Sequence, residues 1–195
     1  MILPKFQAPA LGVALAFAAG CSTQSSIKPA EVLDERTGMT VGALGKPIEL
    51  VQEAEGTATS RKRISFAYLG PVEWDNMGNI SDGLWIHLAP GGDWQFGDIR
   101  TAGAVALSLD DGAVVLSPIE APKLGKSPYQ PVASWGQTAY FNFDVQLLRR
   151  MASSGKIELD FKARGEQARG EGTVRFIAGG DARETLVRYL HARGY

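Results

Sequence analysis

The chain has 195 residues, with 20 Lys+Arg against 21 Asp+Glu, and 45% of it is hydrophobic. These values fit one globular domain, exclude a disordered polyelectrolyte and argue against a nucleic-acid partner. With one Cys and two His, an internal disulfide and a common four-ligand zinc site are both excluded, and neither metal nor cofactor is expected.

The N-terminus carries the strongest signal. Lys5 precedes an apolar run at residues 10–19, and Gly20-Cys21 follows. A positive start, a short apolar stretch and small residues at the cleavage point define an export signal. The run is about half of the roughly 20 residues that a spanning helix needs. Ala18-Ala19-Gly20-Cys21 resembles the lipobox of bacterial lipoproteins, with Ala18 where that motif usually has Leu. The resemblance implies removal of residues 1–20, lipidation of the Cys21 sulfur and acylation of the new amino terminus. Two or more acyl chains hold a protein stably on a membrane where one gives marginal binding. Ser22 stands where Asp would be the inner-membrane retention signal, so it resembles the outer-membrane pattern. The expected location is therefore the outer membrane, with the domain facing the periplasm or the surface. Ser22-Thr23-Gln24-Ser25-Ser26 is polar and uncharged and reads as a tether. The expected layout is a signal peptide at 1–20, a lipidated Cys and tether at 21–30, and one domain at 31–195. The segment Asp34-Glu35-Arg36-Thr37-Gly38-Met39-Thr40 is similar to proteobacterial lipoproteins without an assigned activity, and implies none.

Strands are expected at 48–51, 64–69, 84–89 and 138–143, separated by Gly70-Pro71, by residues 75–78 and by Pro90-Gly91-Gly92. Leu107 and Leu109 precede Asp110-Asp111-Gly112, and Val114 and Leu116 follow. A type I′ turn with Asp111-Gly112 at its tip sets Leu109 opposite Val114 and Leu107 opposite Leu116. Asp144 is placed to cap a helix carrying Val145, Leu148, Met151 and Ala152 on one face, ended by Gly155. Ile157, Leu159, Phe161 and Ala163 alternate with Lys156, Glu158, Asp160 and Lys162, the period of a strand with one buried and one wet face. A turn at 165–170 leads to a partner strand at 173–177. Asp181-Ala182-Arg183-Glu184 resembles a capping box ahead of the stripe Leu186, Tyr189 and Leu190, with Gly194 at the end. The fold class is mainly β: an antiparallel sandwich or barrel-like domain with two short α-helices.

The chemistry-bearing residues are few. Gly125-Lys126-Ser127 lacks the upstream Gly of a P-loop, since Glu120 stands there, and Pro128 follows where a helix should begin. Gly170-Glu171-Gly172 has Arg175 at the third Gly of a dinucleotide fingerprint. Asp75, Asn79 and Asp82 offer oxygens but not at EF-hand spacing, and read as turn residues. Glu73 with Asp93 and Asp98 are the carboxylates from which a glycosidase pair would have to come. From Val145 to Tyr195 there are 10 Lys+Arg against 6 Asp+Glu, a basic third that reads first as a solvated surface and second as a partner for phosphate-bearing headgroups. Arg61-Lys62-Arg63 reads as a solvated strand entry.

The aromatic residues remain. Residues 90–98 place Trp94 and Phe96 in a Gly-rich acidic loop, and His87 alternates with Trp85 on one strand face. The candidate ligand- or partner-binding residues are accordingly Trp94, Phe96, His87 and Trp85, with no catalytic set. The expected function is a non-enzymatic envelope lipoprotein that binds a partner protein or glycan. The alternatives are an envelope-polymer hydrolase with carboxylate catalysis, or a structural or assembly component. Cys21→Ser is expected to abolish acyl labelling and release the protein from membranes; labelling in cells followed by membrane fractionation checks both.

Overall fold

The computed structural model describes residues 29–53, 65–91, 94–165 and 171–195. Cys21 and the export segment, Arg61-Lys62-Arg63, Asp93 and the 166–170 turn lie outside them. Twelve strands and two helices occur among the described residues. They are β1 (Ala30–Asp34), β2 (Met39–Ala43), β3 (Ile48–Gln52), β4 (Phe66–Asn76), β5 (Asn79–Ala89), β6 (Trp94–Phe96), β7 (Val105–Leu109) and β8 (Gly112–Val115). There follow β9 (Pro118–Ile119), β10 (Gln137–Asn142), α1 (Val145–Ser153), β11 (Ile157–Gly165), β12 (Glu171–Ala178) and α2 (Ala182–Ala192). The strands form one antiparallel sheet in the order β8-β7-β11-β12-β3-β4-β5-β10-β9, curled into a half-barrel. The β1–β2 hairpin joins it through β4, and β6 joins it through β11. This is the β-rich antiparallel domain with two helices that the residue pattern implies. None of the described helices is long and apolar enough to cross a membrane.

The β4–β5 hairpin is the axis of the sheet, paired without a break from Phe66↔Ala89 to Asn76↔Asn79. Alternate residues point to opposite faces, and both faces of this hairpin are covered. One face carries Leu69, Leu84 and Ile86, which join Leu50, Phe141, Leu159 and Phe176 in the core. The other carries Tyr68, Trp74, Trp85 and His87, lying under the 120–136 connection, whose Tyr129 packs 5.0 Å from Trp85. Double burial explains why residues 66–74 and 83–89 are apolar almost throughout rather than alternating.

Gly70-Pro71 does not break the chain into two strands, contrary to the turn expected there. β3 pairs with residues 66–69 of β4, and β2 with residues 72–75 on the same edge. Pro71 falls at the junction between them. Its carbonyl accepts from the Tyr129 hydroxyl at 2.8 Å, and that hydroxyl accepts from the Leu44 N–H at 2.8 Å. A residue's N–H and C=O leave a strand on the same side, so the donor that Pro lacks would face this junction and not a ladder partner. Gly70 makes the arrangement possible: a Cβ there would lie 2.4 Å from the Tyr129 ring. Likewise, a Cβ on Gly83 would lie 2.4 Å from the Trp74 ring. Two aromatic rings therefore rest on bare backbone in the middle of the longest hairpin.

The β7–β8 hairpin corrects the expected register. Leu107 faces Val114 and Leu109 faces Gly112, so the turn is Asp110-Asp111, one residue earlier, and the pairing has slid by two residues. A slide of two residues leaves the same side chains on the same face, so apolar pattern cannot choose between the two registers. Contacts outside the hairpin choose. The Asp110 N–H donates to Ser154 Oγ at 3.0 Å, and Asp110 Oδ2 accepts from the Gly155 N–H at 2.6 Å. Arg150 of α1 holds Asp111 at 2.8 Å.

The helices behave differently at their starts. Asp144 caps α1, accepting from the Leu147 N–H at 2.7 Å, and Leu148, Met151 and Ala152 are buried as expected. The capping box of α2 does not form. Asp181 already has helical backbone angles and makes no side-chain cap bond, because a capping side chain needs an extended backbone. Glu184 pairs with Arg188 one turn on instead.

Gly70→Ala is expected to cost about 1–3 kcal/mol, since its Cβ must displace a packed ring. Gly172→Ala, whose Cβ meets nothing within 4 Å, is expected to change stability by less than about 0.5 kcal/mol. Urea unfolding of both variants checks the contrast.

Candidate functional site

His87 lies in a cross-strand row with Tyr68 and Thr138 and has no exposed surface. Its Nε2 accepts from the Ala133 N–H at 3.4 Å, which puts the ring proton on Nδ1, 2.8 Å from Thr138 Oγ1. The imidazole stacks on Trp85 with centroids 5.8 Å apart and 17° between planes. A Cβ on Gly136 would lie 2.4 Å from it. Burial pushes its pKa below the ordinary 6.5. Both nitrogens are committed and the ring is sealed under the connection, so the geometry gives His87 a structural role. Trp85 is equally closed to solvent.

Phe96 is on the opposite face of the sheet. Its register partner is Ala163, and its ring packs 6.2 Å from Phe161 and 6.1 Å from Phe176. Half-buried, it forms one wall of an open cleft of about 420 Å³, together with Gln95, Asp98, Thr101 and Lys162. The structure thus separates the four candidates: Trp85 and His87 on one face, Phe96 on the other. Trp94 continues β6, and its side chain lies outside the described residues.

The sequence reading missed Trp135 as a contact residue. Its side chain is 72% exposed, and its indole N–H donates to the Pro90 carbonyl at 3.3 Å, which fixes the ring in place. Two residues on, Gln137 holds the loop after β6: its Oε1 accepts from the Ile99 N–H at 3.1 Å and its Nε2 donates to the Gly97 carbonyl at 3.0 Å. These bonds tie Trp135 to the segment before β6 and the cleft loop to the strand that follows Trp135. Residues 135–137 thus carry both an exposed indole and the amide that holds the cleft loop. The sole sequence cue was Trp135's place in a Pro- and Gly-bounded loop. Tyr129 shares that loop and is buried, so the cue does not discriminate.

The remaining candidate chemistry is tied up. The Glu73 carboxylate takes Arg193 and accepts from the Tyr195 hydroxyl at 2.9 Å. Asp98 is held below the usual carboxylate range by Arg100, 2.8 Å away. Asp75 Oδ1 accepts from the Gly78 N–H at 2.6 Å as a turn residue. Four cations of the basic third form ion pairs, three of them through surface-exposed arginines: Arg150, Arg175, Arg188 and Arg193 pair with Asp111, Asp160, Glu184 and Glu73. The expected wet face of β11 is also partly closed, because Glu158 is buried between Lys156 and Arg175, 3.1 Å from each.

No family model matches the chain, no curated protein matches it, and no solved structure matches it.

The depressed pKa of His87 gives stability a defined pH dependence. Below about pH 6.5 the unfolded chain binds a proton that the folded chain refuses, so stability is lost as pH falls from there toward the lower folded value. The slope contributed is at most about 1.4 kcal/mol per pH unit. Urea unfolding between pH 5 and 8 is expected to show this decline, and the His87→Gln variant a flatter one.

Proposed function

We propose that the chain is an exported envelope lipoprotein, held on the outer membrane through Cys21, whose β domain is a non-enzymatic module that binds envelope glycan. The observation that carries the binding reading is Trp135: a large apolar ring, 72% exposed and held by its own hydrogen bond, two residues before Gln137, which holds the loop of the Phe96 cleft. Exposing an indole forgoes much of the stabilisation its burial would bring. A ring face fixed in advance binds without the entropy loss of ordering it. The C–H face of a sugar fits an indole face, and its hydroxyls fit the amide, hydroxyl and ammonium groups of Gln95, Thr101 and Lys162. A cleft of about 420 Å³ is within the range of small-ligand sites and suits one or two sugar rings.

Titration with soluble fragments of envelope glycan, followed by tryptophan fluorescence, tests the reading. Trp135→Ala is expected to weaken binding by at least about thirtyfold, the equivalent of a 2 kcal/mol hot spot, with an unchanged melting temperature. Unchanged affinity, or capture of a protein partner unaffected by the substitution, overturns it.

A further inference from the structure

We infer that the tip of the β4–β5 hairpin, with the neighbouring β1–β2 hairpin, is a lipid-contacting surface that seats the domain on the bilayer carrying its anchor. This inference rests on the anchor reading of Cys21. Met77 and Gly78 form the two-residue turn between Asn76 and Asn79, with φ of 53° and 90°. A type I′ turn needs positive φ at both positions and favours Asn-Gly. Met is a poor choice there on backbone grounds, and its side chain is 95% exposed, a poor choice on solvation grounds as well. Both local preferences are violated at one residue, which marks a position selected for something outside the fold.

Met77 is not alone. Leu33, Thr40, Asp75 and Ile80 form one cross-strand row next to the turn. Leu33 and Ile80 are 61% and 59% exposed. Two acidic groups at this end are held by backbone N–H groups, while Glu35 and Arg36 in the β1–β2 turn are exposed. Asp75 accepts from the Gly78 N–H, and Asp34 accepts from the N–H groups of Thr37 and Gly125 at 3.1 and 2.8 Å. Met77, Leu33 and Ile80 thus present exposed apolar side chains at this end.

Chain length selects the bilayer as the occupant. Ala30, the first residue of β1, follows Cys21 by nine residues, a reach of about 30 Å when extended. Leu33 lies about 10 Å further along β1. An anchored chain therefore holds this tip within reach of the membrane surface at all times, and shallow insertion of three apolar side chains needs no affinity of its own.

The test uses the full acylated protein in phosphatidylcholine vesicles, with Met77→Trp as the reporter and native protein as the background. The added emission is expected to be at least about twofold lower in vesicles whose acyl chains are brominated, because interfacial insertion reaches about 5–10 Å into the headgroup and acyl boundary. Equal emission in the two vesicle types overturns the inference. Ile80→Trp serves as a second reporter if Met77→Trp does not fold. Failure of the anchor reading shows separately, as absence of acyl label and of flotation with vesicles. In that case the Cys21 thiol is coupled to a maleimide lipid and the quenching is read in the same way, with the same two outcomes.

Discussion

The contact on which the domain depends is an aromatic ring packed against glycine backbone. Tyr129 on Gly70 and Trp74 on Gly83 are possible because those positions have no Cβ. Each ring replaces the side chain that its glycine lacks, so the strand keeps a filled face at the point where it must accept another element. Through its hydroxyl, Tyr129 also bridges Pro71 and Leu44, closing the gap where β3 hands the edge of β4 over to β2. The connection containing Tyr129 is thereby pinned over Trp85 and His87, and one hairpin gains cover on both faces. A proline that would spoil an ordinary central strand is accommodated at that handover.

This packing decides what the protein can do chemically. A buried imidazole with a depressed pKa has the outward properties of a general base. Its two nitrogens are instead spent on Ala133 and Thr138, and its ring on Trp85. The charges follow the same rule. Glu73, on the core-facing side of β4, is matched by Arg193 after α2 and by Tyr195, so the end of α2 is fastened to the sheet by the group that would otherwise be a stray carboxylate. Polar groups that remain available cluster at β6, where two parts of the chain reach the β11 edge and leave a cleft between them.

Local rules were reliable where the physics is local. The alternation in 157–163 located β11, the Asp144 cap started α1, and the Gly-rich turns separated most strands. They failed where two outcomes are locally equivalent. A two-residue slide of the β7–β8 hairpin preserves its apolar face. Asp181 has capping chemistry, but its backbone is set by the chain arriving from β12. Gly70-Pro71 has turn composition, but only an unbroken neighbouring strand would have excluded it from β4, and that edge is split.

The sequence alone determined the class of fold, because the periodicity of apolar residues and the chemistry of turns and caps act over a few residues. It also contains the lipobox resemblance, which is a short linear motif. Tertiary structure decided which aromatics are core and which are surface. Trp74, Trp85 and Trp135 are chemically identical and all lie near turns or strand ends in sequence. Burial depends on what a distant segment brings to cover a ring: Tyr129 and its connection cover Trp85, while nothing among the described residues covers Trp135. Solvent exposure is a property of the assembled chain, and no window of neighbouring residues encodes it.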